Sequence, residues 1–268
     1  MGCGYGQRVD RSYSFGQSAL PLVTAAIHAG HDLRPEVAER IALDEATRVR
    51  EEDPFTDRVT AAGGTSVVVH RSRFEVDLNR PRDGAVYMTP ASSWGLEVWR
   101  EPLSEAVIER SLAVYDGFYA ALAAHLDDLA GQGPFVVLDV HSYNHRRDGP
   151  GAPPAPEEDN PEVNVGTGSL DSDRWGHLVE RFLADLGARE VRGHRLDVRE
   201  NVRFEGGYLS RWVHERYDGL GCALALELKK VFMDEWSGVP DDEHLQQLTA
   251  ALAATVPGLV NELTVGVR

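Results

Sequence analysis

The sequence has little cysteine, a deficit of positive charge and no long apolar run. Only Cys3 and Cys222 are present among its 268 residues, so no disulfide framework is predicted and a reducing cytoplasm is expected. Apolar stretches such as 135–140 are far shorter than the roughly 20 residues that a membrane helix needs. The N-terminus lacks the layout of a signal peptide, and Gly6 stands where a myristoylation signal requires Ser or Thr. We therefore expect a soluble, cytoplasmic protein.

Acidic residues outnumber basic ones by 43 to 27, which gives a formal net charge of −16. This balance disfavours nucleic acid and membrane surfaces as partners, because both attract proteins mainly through Lys and Arg. The 42% hydrophobic and 26% charged residues are ordinary globular proportions and exclude a fibrous or wholly disordered chain. A small-molecule partner fits best, and the sequence gives no indication of the oligomeric state.

Hydrophobic patterning predicts one α/β domain. Residues 1–18 are rich in Gly, Ser and Arg without periodicity, which predicts a flexible lead-in, and residues 19–268 form the domain. Short β-rich runs, several of them apolar throughout, alternate with segments of helical spacing, so we predict a mixed central sheet flanked by helices. The predicted strands are 20–27, 66–69, 74–78, 135–140 and 222–228, and the predicted helices are 35–50, 104–129, 173–186, 207–216 and 241–263. The Pro-rich segment 149–161 is interpreted as either a solvated loop or a lid over the active site.

Polar residues at the ends of the apolar runs indicate a site, because ligands of open α/β sheets bind beyond the carboxyl ends of the strands. His28 and His141 each follow such a run. Asp77, Asp139 and Glu227 lie within such runs. Glu227 is the most informative, since a carboxylate in an apolar strand must be paired, bound to metal or raised in pKa.

Two imidazoles and one carboxylate form a common catalytic zinc set, and a further carboxylate can then act as general base. The acidic segment 50–58, which follows the first predicted helix, is the candidate source of the missing ligand. Pro54 interrupts the helical pattern there and redirects the residues that follow it.

From about residue 20 to 236, ordered pieces of the chain resemble the N-formylglutamate amidohydrolase (N-formylglutamate deformylase) family, which is related in fold to the zinc carboxypeptidases. The matching segments are His28-Ala29-Gly30, Thr56-Asp57, 72–74, 77–81, Asp139-Val140-His141-Ser142, 164–167, 203–207, Leu226-Glu227-Leu228 and 233–235. The resemblance implies a carboxypeptidase-like (phosphorylase/hydrolase-like) α/β fold.

The resemblance also implies roles for individual residues. One zinc ion per chain would be held by His28, His141 and Asp57, with Glu52, Asp53 or His31 as alternatives for the third ligand. Glu227 would be the general base. Arg80, with Asn79 beside it, would bind a substrate carboxylate. Arg73, Arg203 and Arg211 are further candidates for the second carboxylate or the oxyanion.

The implied reaction is metal-dependent hydrolysis of N-formyl-L-glutamate or a closely related N-acyl amino acid. A zinc peptidase or deacylase acting on another N-acyl amino acid or on a peptide is the alternative. A non-catalytic binding protein of the same fold is a third interpretation. Iron, cobalt or manganese in place of zinc stays open, because metal identity depends on availability as well as on ligand type.

Overall fold

A seven-stranded sheet crosses the middle of the structure, a computed structural model that describes residues 12–265. The strands are β1 (Tyr13–Phe15), β2 (Leu22–Ala26), β3 (Thr65–Val69), β4 (Phe135–Tyr143), β5 (Val163–Gly166), β6 (Glu190–Val191), β7 (His194–Arg195), β8 (Val198–Glu200) and β9 (Gly221–Lys229). The strand order is β1-β3-β2-β4-β9-β5-β8, and β6 and β7 pair separately. Strands β3, β2, β4 and β9 are parallel, whereas β1 and β5 run antiparallel to their neighbours β3 and β9.

Helices cover both faces of the sheet. They are α1 (Pro35–Ala38), α2 (Glu45–Glu51), α3 (Thr56–Val59), α4 (Glu105–Ala130), α5 (Ser172–Gly187), α6 (Tyr208–Arg216), α7 (Asp242–Ala253) and α8 (Val256–Val265). Helices α5, α7 and α8 pack on one face of the sheet, and α4 and α6 pack on the other. All nine residues of β4 are buried, as expected for a strand covered on both sides. The predicted α/β class, a single domain with a mixed sheet between helices, is confirmed.

Segment 74–78 was predicted as a strand, and this prediction is wrong. It forms turns, although Phe74, Val76 and Leu78 are buried. Apolar and acidic residues alternate in this segment, but the two acidic side chains are buried as well. Glu75 accepts hydrogen bonds from Arg34, and Asp77 is hydrogen-bonded to His28. Buried apolar side chains and hydrogen-bonded carboxylates therefore hold the segment in place without strand pairing.

Two predicted helices are each divided in two. Segment 35–50 separates into α1 and α2, because the side chain of Asp44 accepts the backbone N–H of Thr47 and begins a new helix. Segment 241–263 separates into α7 and α8, because Pro257 lacks the N–H that a continuous helix would use. Within the predicted lead-in, Tyr13–Phe15 form β1 and pair with β3, whereas residues 1–11 lie outside the described part of the chain.

Among the described helices, none combines the length and the apolarity that crossing a membrane requires.

Candidate metal and catalytic site

A cavity of about 160 Å³ lies where the carboxyl ends of β2, β4 and β9 meet. It is lined by His28, Glu51, Asp53, Arg73, Asn79, Trp94, His141, Ser142, Tyr143, Asn144, Arg147, Phe204, Glu227 and Lys230. This volume is below the roughly 300–1,000 Å³ of pockets that hold drug-sized ligands. The cavity therefore suits a small substrate.

His28 and His141 reach the cavity from neighbouring parallel strands. His28 stands two residues beyond β2, and its backbone path is fixed by Gly30, where an added Cβ would lie 2.2 Å from the carbonyl carbon of His70. His141 belongs to β4. Their ring centroids are 4.8 Å apart, so the two imidazoles form one buried pair.

Asp53 completes a three-residue cluster with the two histidines. Its Oδ2 lies 3.4 Å from Nδ1 of His28 and 2.9 Å from Nδ1 of His141. The three ligand atoms lie within 4.8 Å of one another, and Nδ1 of His28 is buried without a hydrogen-bond partner among the described residues. A tetrahedral zinc ion, with bonds of about 2.0–2.1 Å, needs ligand atoms roughly 3.3 Å apart. The donor set and the two distances from Asp53 therefore fit zinc.

A second carboxylate lies close to the far ring nitrogen of each histidine. Nε2 of His28 lies 2.7 Å from Oδ1 of Asp77, and Nε2 of His141 lies 3.0 Å from Oδ1 of Asp139. A carboxylate on the far nitrogen is the usual partner of a metal-ligating histidine, because it fixes the tautomer and the ring orientation. Both rings thus direct Nδ1 toward Asp53.

The electrostatics agree with this donor set. Burial tends to raise the pKa of Asp53, but the hydrogen bond with His141 and the nearby imidazole of His28 outweigh burial and hold that pKa well below its ordinary value. Burial lowers the pKa of His141, whereas Asp139 raises it, and the net result is a pKa well above the ordinary value. A metal cation at Nδ1 would compete with a proton there, as is usual when histidine binds a metal.

Backbone contacts hold Asp53 in place. Its N–H donates to the carbonyl of His28 at 3.0 Å, and the hydroxyl of Ser142 donates to its Oδ1 at 3.2 Å. The ammonium group of Lys230 donates to the carbonyls of Arg50 and Glu52 at 2.6 and 2.7 Å. Lys230, directly after β9, thus fixes the segment that carries Asp53.

Asp57, the predicted third ligand, is not in this cluster. Phe55 adopts a left-handed conformation with φ 69°, which turns the chain so that Asp57 is exposed and lines a different surface cavity. The alternative His31 bonds through Nδ1 to Glu52 at 2.5 Å, which removes both residues from the cluster. The structure therefore favours Asp53, one of the three predicted alternatives.

Glu227, on β9, lines the same cavity as the cluster of His28, Asp53 and His141. It is paired in register with His141 of β4 on one side and with Asn164 of β5 on the other. Burial raises the pKa of Glu227 to about 8, with Asp53 and Asp139 adding to the increase and His141 opposing it. Oδ1 of Asn164 accepts the backbone N–H groups of residues 202–204, which places Phe204 in the cavity wall.

Of the predicted substrate-binding residues, Arg73 and Asn79 line the cavity. Arg73 donates to Oδ2 of Asp77 at 3.0 Å and to the hydroxyl of Tyr87 at 3.2 Å. Burial lowers the pKa of Arg73, but Tyr87 and Asp77 raise it above the ordinary value. Nε of Arg80 lies 3.4 Å from Oδ2 of Asp77, and its guanidinium lies 4.7 Å from the centroid of the Tyr87 ring, next to the cavity but outside its lining.

Arg203 and Arg211 are exposed and do not line the cavity. Arg203 lies over the rings of Tyr143 and Phe204, at 5.7 and 5.6 Å. Arg211 lies over Tyr208 on α6, at 5.7 Å. The cavity also contains Asn144, Arg147 and Lys230, for which no role was predicted. Both lysines of the chain, Lys229 and Lys230, are buried at the end of β9. In the sequence, these two lysines directly follow the apolar run 222–228, and this position is the signal that could have indicated Lys230.

Segment 149–161 does not contribute to the cavity lining. The hydroxyl of Tyr143 donates to the carbonyl of Pro161 at 2.5 Å, and the N–H of Ala155 donates to the carbonyl of His145 at 2.7 Å. The segment is thus attached behind the cavity wall, and closure over a substrate stays a prediction.

Residues 20–233 match the family model described as N-formylglutamate amidohydrolase. The chain belongs to the N-formylglutamate amidohydrolase family. Relatives in this family include N-formylglutamate deformylases of Pseudomonas aeruginosa, 26% identical over 91% of this chain and 94% of the relative, and of Pseudomonas putida, 28% identical over 90% and 92%. The predicted family is therefore confirmed.

Solved structures show the same fold. An N-formylglutamate amidohydrolase from Ralstonia eutropha superposes with a TM-score of 0.74 at 17% identity, covering 96% of this chain and 99% of the other. A gene product from Agrobacterium tumefaciens superposes with a TM-score of 0.64 at 19% identity, covering 96% and 95%. The architecture of the amidohydrolase family is thus retained along nearly the whole chain.

Proposed function

We propose that this protein is a metal-dependent amidohydrolase that cleaves N-formyl-L-glutamate, or a closely related N-acyl amino acid, into the amino acid and formate or the corresponding acid. The observation that carries the proposal is the cluster of His28, Asp53 and His141 facing Glu227 in one small cavity. Family membership and relatives named N-formylglutamate deformylase support the choice of substrate.

The cluster would hold one zinc ion per chain. When bound by two imidazoles and a carboxylate, zinc supplies Lewis acidity at an open coordination position. Asp77 and Asp139, which lie 2.7 and 3.0 Å from Nε2 of His28 and His141, would maintain the orientation of the two rings. The ring orientation therefore exists before substrate enters, which reduces the cost of organising the site.

Glu227 would accept the proton of the attacking water and deliver it to the leaving nitrogen. A general base must lie within hydrogen-bond reach of that water, and Glu227 faces the cavity directly beside His141 in the sheet register. The water oxygen forms a bond to the formyl carbon, the carbon–nitrogen bond breaks, and the amino acid leaves with the transferred proton. Formate is the second product.

Arg73 and Arg80 would bind the acidic end of the substrate or its carbonyl oxygen. Arg73 uses Nε, Nη2 and Nη1 for one hydrogen bond each, to Tyr87, Asp77 and the carbonyl of Glu51, and a guanidinium has five N–H donors. Its remaining donors are therefore available at the cavity. Arg80 shares Asp77 with Arg73, so both cations are held by one buried carboxylate.

Formate release from N-formyl-L-glutamate tests the proposal. We expect activity that a chelator removes and zinc restores. Glu227→Gln should lower kcat by about 10²–10⁴-fold, the usual contribution of a general base, while metal content by mass spectrometry is unchanged. Glu215→Gln, an exposed carboxylate on α6, is the matched control.

Two results would contradict the proposal in different ways. Full activity of Glu227→Gln would contradict the role of Glu227 as general base but not the hydrolase activity. If the metal-loaded protein releases no formate, N-formyl-L-glutamate is not its substrate. A panel of N-acetyl and N-succinyl amino acids and short peptides would then test the alternative deacylase and peptidase activities. Substrate binding without turnover of any member of this panel would indicate a binding protein.

A further inference from the structure

Three basic side chains line the cavity, and two of them already have protein partners. Arg73 is bonded to Asp77 and Tyr87, and Lys230 donates to two backbone carbonyls. Arg147 is exposed to the cavity, and among residues 12–265 no hydrogen bond or ion pair involves its guanidinium. Its charge is therefore available to a ligand.

The backbone that precedes Arg147 is held firmly. The buried carboxylate of Glu235 accepts the N–H groups of His145 and Arg146 at 2.8 and 2.6 Å. The guanidinium of Arg146 is paired with Asp234 at 2.6 Å, and the indole N–H of Trp236 donates to the carbonyl of Arg146 at 2.9 Å. Residues 234–236 thus fix the point from which the side chain of Arg147 extends.

A second, independent feature of the same wall faces the cavity. Asn144 is only 5% exposed, and its Nδ2 lies 3.4 Å from Oε1 of Glu51. Because that contact requires the nitrogen to face Glu51, the amide oxygen faces elsewhere, and Oδ1 is buried without a partner among the described residues. An unsatisfied buried acceptor is costly, so a donor from a ligand at this position would stabilise it.

We propose that Arg147 binds the side-chain carboxylate of the substrate and makes the site selective for N-acyl derivatives of acidic amino acids. The inference rests on the proposed amidohydrolase function and deepens it by assigning the specificity residue. A guanidinium binds a carboxylate through two parallel hydrogen bonds, which a neutral side-chain amide cannot match in charge. Asn144, on the same wall, offers its free acceptor to an N–H group of the ligand.

The test compares N-formyl-L-glutamate with N-formyl-L-glutamine, which have nearly the same shape and differ in side-chain charge. We expect the wild type to prefer the glutamate compound. Arg147→Gln should lower kcat/KM for N-formyl-L-glutamate by about 10- to 100-fold, the range for loss of a hydrogen bond to a charged group. It should change kcat/KM for N-formyl-L-glutamine by less than about threefold, and Arg147→Lys should keep part of the preference.

Two other arginine variants complete the design. Arg195→Gln removes an exposed charge on β7, outside the cavity lining, and should leave both substrates unaffected. Arg203→Gln tests the competing assignment. If the preference for glutamate persists in Arg147→Gln and disappears in Arg203→Gln, the assignment to Arg147 is overturned while the amidohydrolase function stands.

Binding measurements distinguish failure of the Arg147 proposal from failure of the proposed amidohydrolase function. If the wild type hydrolyses neither compound, the proposed function fails, and titration calorimetry with L-glutamate and L-glutamine then decides the role of Arg147. Tighter binding of L-glutamate that Arg147→Gln abolishes supports the assignment. Equal affinity of the wild type for the two amino acids overturns it.

Discussion

Asp53 and Asp57 are four residues apart, and only one of them faces the histidines. Pro54 and Phe55 lie between them, and the positive φ of Phe55 reverses the direction of the chain. Asp53 is 2% exposed and bonded to His141, whereas Asp57 is exposed at the start of α3. The two carboxylates therefore form a matched pair for testing the metal site.

Asp53→Asn should weaken zinc binding by more than about 100-fold, because loss of even an outer partner of a metal ligand costs about 10–100-fold. Asp57→Asn should bind zinc as the wild type does. Competition with a chromophoric chelator measures both affinities. Normal zinc affinity in Asp53→Asn together with a loss in Asp57→Asn would show that the chain rearranges around the ion.

At the level of single residues, the sequence reveals those polar side chains that interrupt apolar runs. That His28, His141 and Glu227 lie together in one cavity could be predicted, because each stands in a buried strand or within two residues of its end. Asp53 could not be chosen over its neighbours, since its direction depends on the hydrogen bonds from distant Lys230 to the carbonyls of Arg50 and Glu52 and on the left-handed backbone of Phe55. Neither contact leaves a pattern in the local sequence.

Among the elements, α6 is joined to the site through Asn79. Leu209, in the first turn of α6, donates its backbone N–H to Oδ1 of Asn79 at 2.9 Å, and Nδ2 of Asn79 lies 3.1 Å from Nε2 of His141. Gly207, which precedes the helix, makes this contact possible. An added Cβ at Gly207 would lie 2.2 Å from Nδ2 of Asn79.

Gly207→Ala should displace Asn79, destabilise the fold by about 1–3 kcal/mol, as overpacking usually does, and lower kcat. Gly176→Ala is the control, because a Cβ there meets nothing within 4 Å. In the middle of α5 it should raise stability by about 0.5–1 kcal/mol. Thermal denaturation and steady-state kinetics distinguish the two, and a fully stable, fully active Gly207→Ala would show that Asn79 is dispensable.

The central strands could be predicted because apolar runs covered on both faces are conspicuous. The strands at and near the sheet edges were missed. Strand β1 has three residues of mixed exposure, and β8 likewise has three with none buried, so neither has a hydrophobic run. These two strands are held by backbone pairing with β3 and β5, and such tertiary pairing cannot be predicted from local composition.

For the whole molecule, the partly buried His214 links stability to pH. Nε2 of His214 accepts the backbone N–H of Ala223 in β9 at 2.9 Å, and burial lowers the pKa of His214 below its ordinary value. The unfolded chain, with a histidine pKa of about 6.5, then binds a proton that the folded chain excludes. The contribution of His214 to stability is therefore complete above about pH 6.5 and decreases as the pH falls below it.

His214→Gln keeps an acceptor for Ala223 and cannot titrate, so its melting temperature should fall less between pH 7.5 and 5.5 than that of the wild type. His194→Gln is the control of opposite sign, because the hydrogen bond to Glu162 raises the pKa of His194. In His194→Gln, the decrease in melting temperature between pH 7.5 and 5.5 should be the same as in the wild type or larger. Calorimetry at both pH values measures the difference, and an undiminished fall in His214→Gln would contradict the assignment.

Strand β1 lies at the edge of the sheet and covers β3, a strand that contains Val67, Val68 and Val69. Without β1, the N–H and C=O groups of β3 would form an open, apolar edge available to other chains. Truncating the protein to residues 20–233, the part that matches the family model, would remove β1 together with α7 and α8. Such a shortened chain would be prone to aggregate during expression through edge-to-edge pairing at β3, even with every proposed metal ligand and Glu227 intact.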